Sequence, residues 1–171
     1  MALALSYTHV DSPVGPLLLA GDTEALHVLR FPGRHGAAAP RPEWRQDAEP
    51  FREIERQLAA YFQGELRRFD VPFHLRGSPF QEQVWRILAE IPFGETRSYG
   101  AIAAMVGAPG AAQAVGRASG DNPLPIILPC HRVIGSDGSL TGFGGGLPVK
   151  RFLLRLEGNA AGAEPAQLSL F

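Results

Sequence analysis

Cys130 is the only cysteine in 171 residues, so neither a disulfide nor a multi-cysteine zinc site can staple this chain. The fold must therefore rest on an apolar core, and 45% hydrophobic against 19% charged residues supplies one. The length suits one medium domain or two small ones sharing an interface. His9, His27, His35 and His74 are scattered without metal-ligand spacing, so no metal and no cofactor are expected. His131 differs from them because it adjoins the thiol in Pro129-Cys130-His131-Arg132-Val133.

No apolar run reaches the roughly 18 residues of a membrane span. The opening residues lack a basic leader and turn polar at Ser6, which predicts a cytoplasmic protein without a membrane partner. The net charge of −1 is not that of a typical nucleic-acid binder. Its distribution is uneven, however. Residues 1–75 carry 8 arginines against 10 acidic residues, whereas residues 76–157 carry 8 basic against 6 acidic. DNA contact by the second half is permitted, with modest and salt-sensitive affinity.

The pattern predicts an α+β chain. Leu5–Val10, Leu17–Ala20 and Ala25–Phe31 are apolar runs separated by turn clusters, as in an antiparallel meander. Residues 32–42 form a Gly/Ala/Pro loop, Pro50–Gln63 a helix, and Val71–Arg76 an extended lead into the second half. Ser78-Pro79-Phe80-Gln81 has capping-box chemistry, and Phe80, Val84, Ile87, Leu88 and Ile91 then share a helix face. Trp85 flanks that face as a core residue. Ser98 caps a short helix reaching Val106, and a glycine break at residues 107–110 precedes another, Ala111–Ser119. Two short helices across a tight turn form a helix-turn-helix pattern. The second is nearly without bulk, which lets its backbone approach a narrow surface such as a DNA minor groove. Leu124–Leu128 reads as a short buried strand leading to Cys130. Residues 141–146 form a glycine loop without phosphate-loop spacing, Val149–Glu157 is the last helix, and Asn159–Ala166 is a linker.

A cysteine attacks as thiolate, and an adjacent base can take its proton. His131 is the obvious base. Neighbours on a strand point to opposite faces, so His131 acts across a water or the chain turns sharply after Pro129. A carboxylate would complete the relay, and Glu157 is a candidate. From the residues alone, Cys130 stays open between reactive thiol and inert core group.

Pro129-Cys130-His131-Arg132-Val133, with Asn122-Pro123 before it and Gly145-Gly146 and Lys150 after it, resembles the O6-alkylguanine-DNA alkyltransferase family. The likeness runs from Ser78 to Glu157, through Phe93-Gly94-Glu95, Ser98-Tyr99 and Ala114-Val115-Gly116. It implies an RNase H-like domain over residues 1–76, a mostly helical alkyltransferase and DNA-binding domain over residues 77–158, and a tail over residues 159–171. Cys130 would irreversibly accept an alkyl group from O6-alkylguanine, and from O4-alkylthymine, in double-stranded DNA. His131 and Glu157 would form the thiolate, Asn122 would brace the turn, and Tyr99 would donate a proton to the leaving base. Backbone groups of Cys130, Val133 and Gly144 would read the base against Phe143, with Lys150 in support. Ala112, Gln113, Ala114, Gly116 and Arg117 would meet the DNA, from which the base must be flipped. The protein would act as a monomer.

Three departures from the family stand out. Gln113 occupies the place of an intercalating arginine; either Gln113 or Arg117 would then fill the gap, and the favoured reading has Gln113 as the wedge and Arg117 as a backbone contact. Phe143 stands where many members carry tyrosine, and the zinc-binding cysteines of some members are missing. Gln167, Leu168, Leu170 and Phe171 end the chain in a pentapeptide similar to those with which bacterial repair proteins dock on the sliding clamp; the alternative is a short capping strand. Two other functions compete: a Cys-His thiol hydrolase, which would turn over repeatedly, and a lesion-sensing module, whose known examples lack the cysteine.

Overall fold

The structure, a computed structural model, describes residues 4–162. The meander forms as expected from β1 (Ser6–Val10), β2 (Leu17–Gly21) and β3 (Leu26–Arg30), paired antiparallel. A short strand that the sequence pattern did not announce, β4 (Arg45–Gln46), adds in parallel to β1, giving the order β3-β2-β1-β4. As the central strand, β2 is buried on both faces. Its two-residue alternation sends Leu17 and Leu19 into the main core, while Leu18 and Ala20 face a smaller cluster with Leu5 and Trp44. Gly21 sits at a register irregularity where an added Cβ would collide with the Ala25 carbonyl.

A 3₁₀ turn (Glu49–Phe51) leads into α1 (Arg52–Phe62), whose Ile54, Leu58 and Tyr61 pack inward. Gln57 on the same face holds the backbone of Asp70 through two hydrogen bonds of 2.9 Å. The following segment runs extended beside β3, with Leu26 N–H donating to Pro72 O and His74 N–H to Leu26 O, each at 2.9 Å. The expected capping box is present at α2 (Pro79–Leu88): Gln81 N–H donates to Ser78 Oγ, and Ser78 N–H to Gln81 Oε1. Trp85 is core, its indole N–H bonded to Ala118 O at 2.8 Å.

The short strand β5 (Arg97–Ser98) precedes α3 (Tyr99–Met105), capped by Ser98 Oγ, and α4 (Ala112–Gly120) packs against both α2 and α3. β6 (Val133–Ile134) pairs in parallel with β5, and α5 (Leu147–Leu156) closes the fold. One contiguous core links the two halves: Leu29, Leu58 and Tyr61 share it with Val84, Leu88, Ile102, Val115 and Leu153. Direct ties reinforce it, including Leu29 N–H to Pro123 O at 2.9 Å and Phe31 against Phe143 at 5.4 Å between ring centroids.

Two expectations are corrected. Leu124–Leu128 is not a strand but a buried turn closed by Leu128 N–H to Leu124 O at 2.8 Å. Pro123, Pro125 and Pro129 lack the amide donors a ladder requires, so this apolar run is buried as a coil instead. Residues 159–162 are also not a linker. A 3₁₀ turn (Ala160–Gly162) folds back on α5, and Asn159 Nδ2 donates to Gly94 O at 2.7 Å. Gln167, Leu168, Leu170 and Phe171 lie outside the described residues.

Candidate active site

The turn that carries the cysteine is built around Asn122. Its Nδ2 donates to Leu128 O at 2.7 Å and its Oδ1 accepts from Leu124 N–H at 2.9 Å, so one side chain spans both ends of the segment. Within it, Ile126 is held at φ +75°, a conformation a β-branched residue adopts only under tertiary constraint. Cys130 N–H then bonds to Leu128 O at 2.7 Å, and Cys130–Arg132 winds into a 3₁₀ turn. Pro129 thus marks a sharp change of direction, one of the two arrangements left open for His131.

His131 and Glu157 are both buried, and Nε2 lies 2.7 Å from Oε2. With Nε2–H donating to the carboxylate, Nδ1 carries the free lone pair. Nδ1 is buried and has no protein partner. Glu157 also receives Arg132, through Nε to Oε1 at 2.8 Å and Nη2 to Oε2 at 2.9 Å, and the Tyr61 hydroxyl at 2.6 Å. Burial pushes the Glu157 carboxyl up, but the hydrogen bonds of His131 and Arg132 outweigh it and hold the group at about 2. For His131, burial dominates and lowers the pKa despite Glu157, so the ring rests neutral.

Burial raises the Cys130 thiol to about 11, against the opposing influence of Asn122 and the Lys150 charge. The resting group is a thiol. Lys150 is completely buried, with Nζ 2.7 Å from Val133 O, 3.0 Å from Thr141 O and 3.4 Å from Tyr99 Oη. Burial lowers it to about 8, with Cys130 acting the other way. Val133 O, expected to face a base, therefore already accepts from Lys150.

A cleft of about 730 Å³ opens between α4 and the glycine loop. Ala112, Gln113, Gly116 and Arg117 form one wall, Tyr99 stands beside them, and Phe143 and Gly144 form the other. The structure thus brings together four of the five α4 positions singled out in the sequence, with Ala114 outside the lining. Cys130 is buried and is not itself a lining residue. Tyr99 joins the two regions, since its hydroxyl donates to Thr141 O at 3.2 Å while its ring lies 5.7 Å from Lys150 Nζ. Gly145 approaches the Phe31 ring so closely that a Cβ there would overlap it.

Two members of the network were not singled out in the sequence. Arg132 stands inside the Cys-His motif, and a charge between buried apolar neighbours calls for a carboxylate. Tyr61 reads as an ordinary helix-face residue, and no local signal reveals its partner. No group of three metal-ligating residues gathers among the described residues, and none of their helices is long and apolar enough to cross a membrane.

The chain is similar to known proteins in both halves. Residues 79–159 match the family model for the 6-O-methylguanine DNA methyltransferase DNA binding domain, and residues 5–75 match that family's ribonuclease-like domain. The methylated-DNA–protein-cysteine methyltransferase of Mycobacterium tuberculosis is 53% identical over 98% of this chain and 99% of its own length. That of Methanosarcina acetivorans is 52% identical over 90% of this chain and 98% of its own. A crystal structure of Mycobacterium tuberculosis OGT in complex with DNA superposes with a TM-score of 0.84 at 52% identity, covering 92% of this chain and 96% of that one. With likeness along nearly its whole length and in both halves, the chain belongs to the 6-O-methylguanine DNA methyltransferase family.

Proposed function

We propose that this protein repairs DNA by transferring the alkyl group of O6-alkylguanine to Sγ of Cys130, once per molecule. The observation that carries this reading is the buried His131–Glu157 pair, adjacent in sequence to a thiol that burial keeps protonated at neutral pH. His131 Nδ1 takes the thiol proton across one water. The thiolate attacks the alkyl carbon, the S–C bond forms as the O6–C bond breaks, and the electron pair returns to the base. Tyr99 supplies a proton to the leaving guanine, with Lys150 beside it, and the products are S-alkylcysteine and intact guanine.

The alkylated atom is stacked inside a duplex, so the nucleotide must be flipped into the cleft. Gly142 and Gly144 leave room there, Phe143 packs against the base, and the Gly144 amide donates to O6. α3 and α4 act as a helix-turn-helix entering the minor groove, with Ala112, Ala114 and Gly116 permitting close approach, Gln113 as the wedge and Arg117 on the backbone. O4-alkylthymine is a second substrate of the same pocket. The protein works as a monomer in the cytoplasm, and Gln167–Phe171 docks on the replicative sliding clamp, a reading supported by the residue types and spacing of that motif.

Single-turnover incubation with O6-methylguanine DNA should add one methyl group to Cys130 and then stop. Continued turnover of an ester or peptide would favour a hydrolase, and binding without mass gain would favour a lesion sensor. Gln113→Arg should change DNA affinity or repair rate; no change in either removes Gln113 as the wedge. Loss of Gln167–Phe171 should abolish clamp binding, and undiminished binding removes that role.

A further inference from the structure

Tyr61 lies on α1, 96 residues before Glu157, yet its hydroxyl reaches the relay carboxylate at 2.6 Å. The ring is fully buried beside Phe62, Phe69 and Phe93, with centroids 5.3, 5.3 and 6.2 Å away. Phenylalanine would satisfy such a site by packing alone. A buried hydroxyl adds a polar atom that must find a partner, and it finds Glu157. We infer that Tyr61 is a positioning residue of the relay, through which the first half of the chain sets the proton affinity of His131. The inference rests on the alkyl-transfer reading above.

Glu157 Oε2 accepts from three donors: His131 Nε2, Tyr61 Oη and Arg132 Nη2. Each added donor spreads the carboxylate charge and makes Oε2 a poorer acceptor for the imidazole proton. The proton therefore stays on Nε2 when His131 becomes imidazolium, and the cation is less stabilised than by a bare carboxylate. Burial first, and then the Glu157 charge, raises the Tyr61 phenol above its ordinary range, so it remains a donor. Among the charged groups facing His131, Glu157 favours the imidazolium, while Arg132 and Lys150 oppose it. Tyr61 acts on His131 through Glu157 alone. Removing its hydroxyl concentrates charge on Oε2, and His131 then protonates at higher pH. Because only neutral His131 can accept the thiol proton, the acid limb of transfer moves with it.

The test measures single-turnover transfer from O6-methylguanine DNA by the full-length protein across the acid and neutral range. Tyr61→Phe should move the acid limb up by roughly one pH unit. Leu58→Ala, a packing change on the same helix, should lower the melting temperature and leave the limb in place. Fluorotyrosine at position 61, nearly isosteric and a stronger donor, should move the limb down, and the ¹⁵N titration of the His131 ring should follow both shifts. An unmoved limb and titration in either the phenylalanine or the fluorotyrosine protein overturns the inference. Failure of the unaltered protein to gain mass on Cys130 would instead overturn the alkyl-transfer reading.

Discussion

Arg132 grips both oxygens of Glu157, Nε on Oε1 at 2.8 Å and Nη2 on Oε2 at 2.9 Å, while Nη1 bonds the Ile91 carbonyl. This arginine supplies the counter-charge that a carboxylate buried in the core requires. Arg132→Ala would leave Glu157 without its counter-charge, and such losses cost about 3–5 kcal/mol. Urea unfolding should show that drop. A change below about 1 kcal/mol would mean that the carboxylate is compensated without Arg132.

Acid should unfold the protein by way of the same cluster. Glu157 and His131 both titrate lower in the folded chain than in the unfolded one, so the unfolded chain binds more protons at low pH. Stability from His131 is complete above its ordinary value of 6.5 and falls as pH drops through the lower folded value. That from Glu157 is complete above 4.5 and is lost towards about 2. Melting temperature should therefore fall in two overlapping stages on acidification. Glu157→Gln should flatten the lower stage; a curve identical to that of the unaltered protein would place the lower stage elsewhere.

Much of this was legible because local chemistry and tertiary structure agree. Ser78 and Gln81 announce their capping box, the apolar run Leu17–Ala20 its strand, and Ser98 its helix start. Leu124–Leu128 misled because its apolar content signals burial equally for a strand and for a coil, and only the missing proline donors distinguish them. Cys130, His131, Asn122 and Glu157 could be named from motif and resemblance, but the distances that tie His131 to Glu157 and Asn122 to both ends of its turn could not. Tyr61 was invisible as a relay partner, since a contact 96 residues away leaves no mark on helix periodicity.

Asn122 bonds both ends of the turn that precedes Cys130, at Leu124 N–H and Leu128 O. Asn122→Ala would leave the Leu124 amide and the Leu128 carbonyl, both on buried residues, without these partners, at a cost of about 1–3 kcal/mol. It would also free a segment in which Ile126 is held at positive φ. Alkyl transfer should slow by more than DNA binding weakens. Equal losses in both would show that the turn serves the fold and not the thiol.

Glu157→Gln separates orientation from charge at the relay. Glutamine keeps the size of the side chain but presents one amide nitrogen and one oxygen, so it can meet His131 Nε2 in the wrong sense and stabilise the tautomer with the proton on Nδ1. That nitrogen is the one left to accept the thiol proton. Arg132 would lose its partner in the same substitution. General-base assistance contributes about 10²–10⁴ in rate, and transfer should fall by a factor within that range near neutral pH. Because thiolate can form without assistance once the pH approaches the Cys130 value of about 11, the deficit should shrink as pH rises. A deficit constant across pH would show that Glu157 holds the site together without serving the proton path.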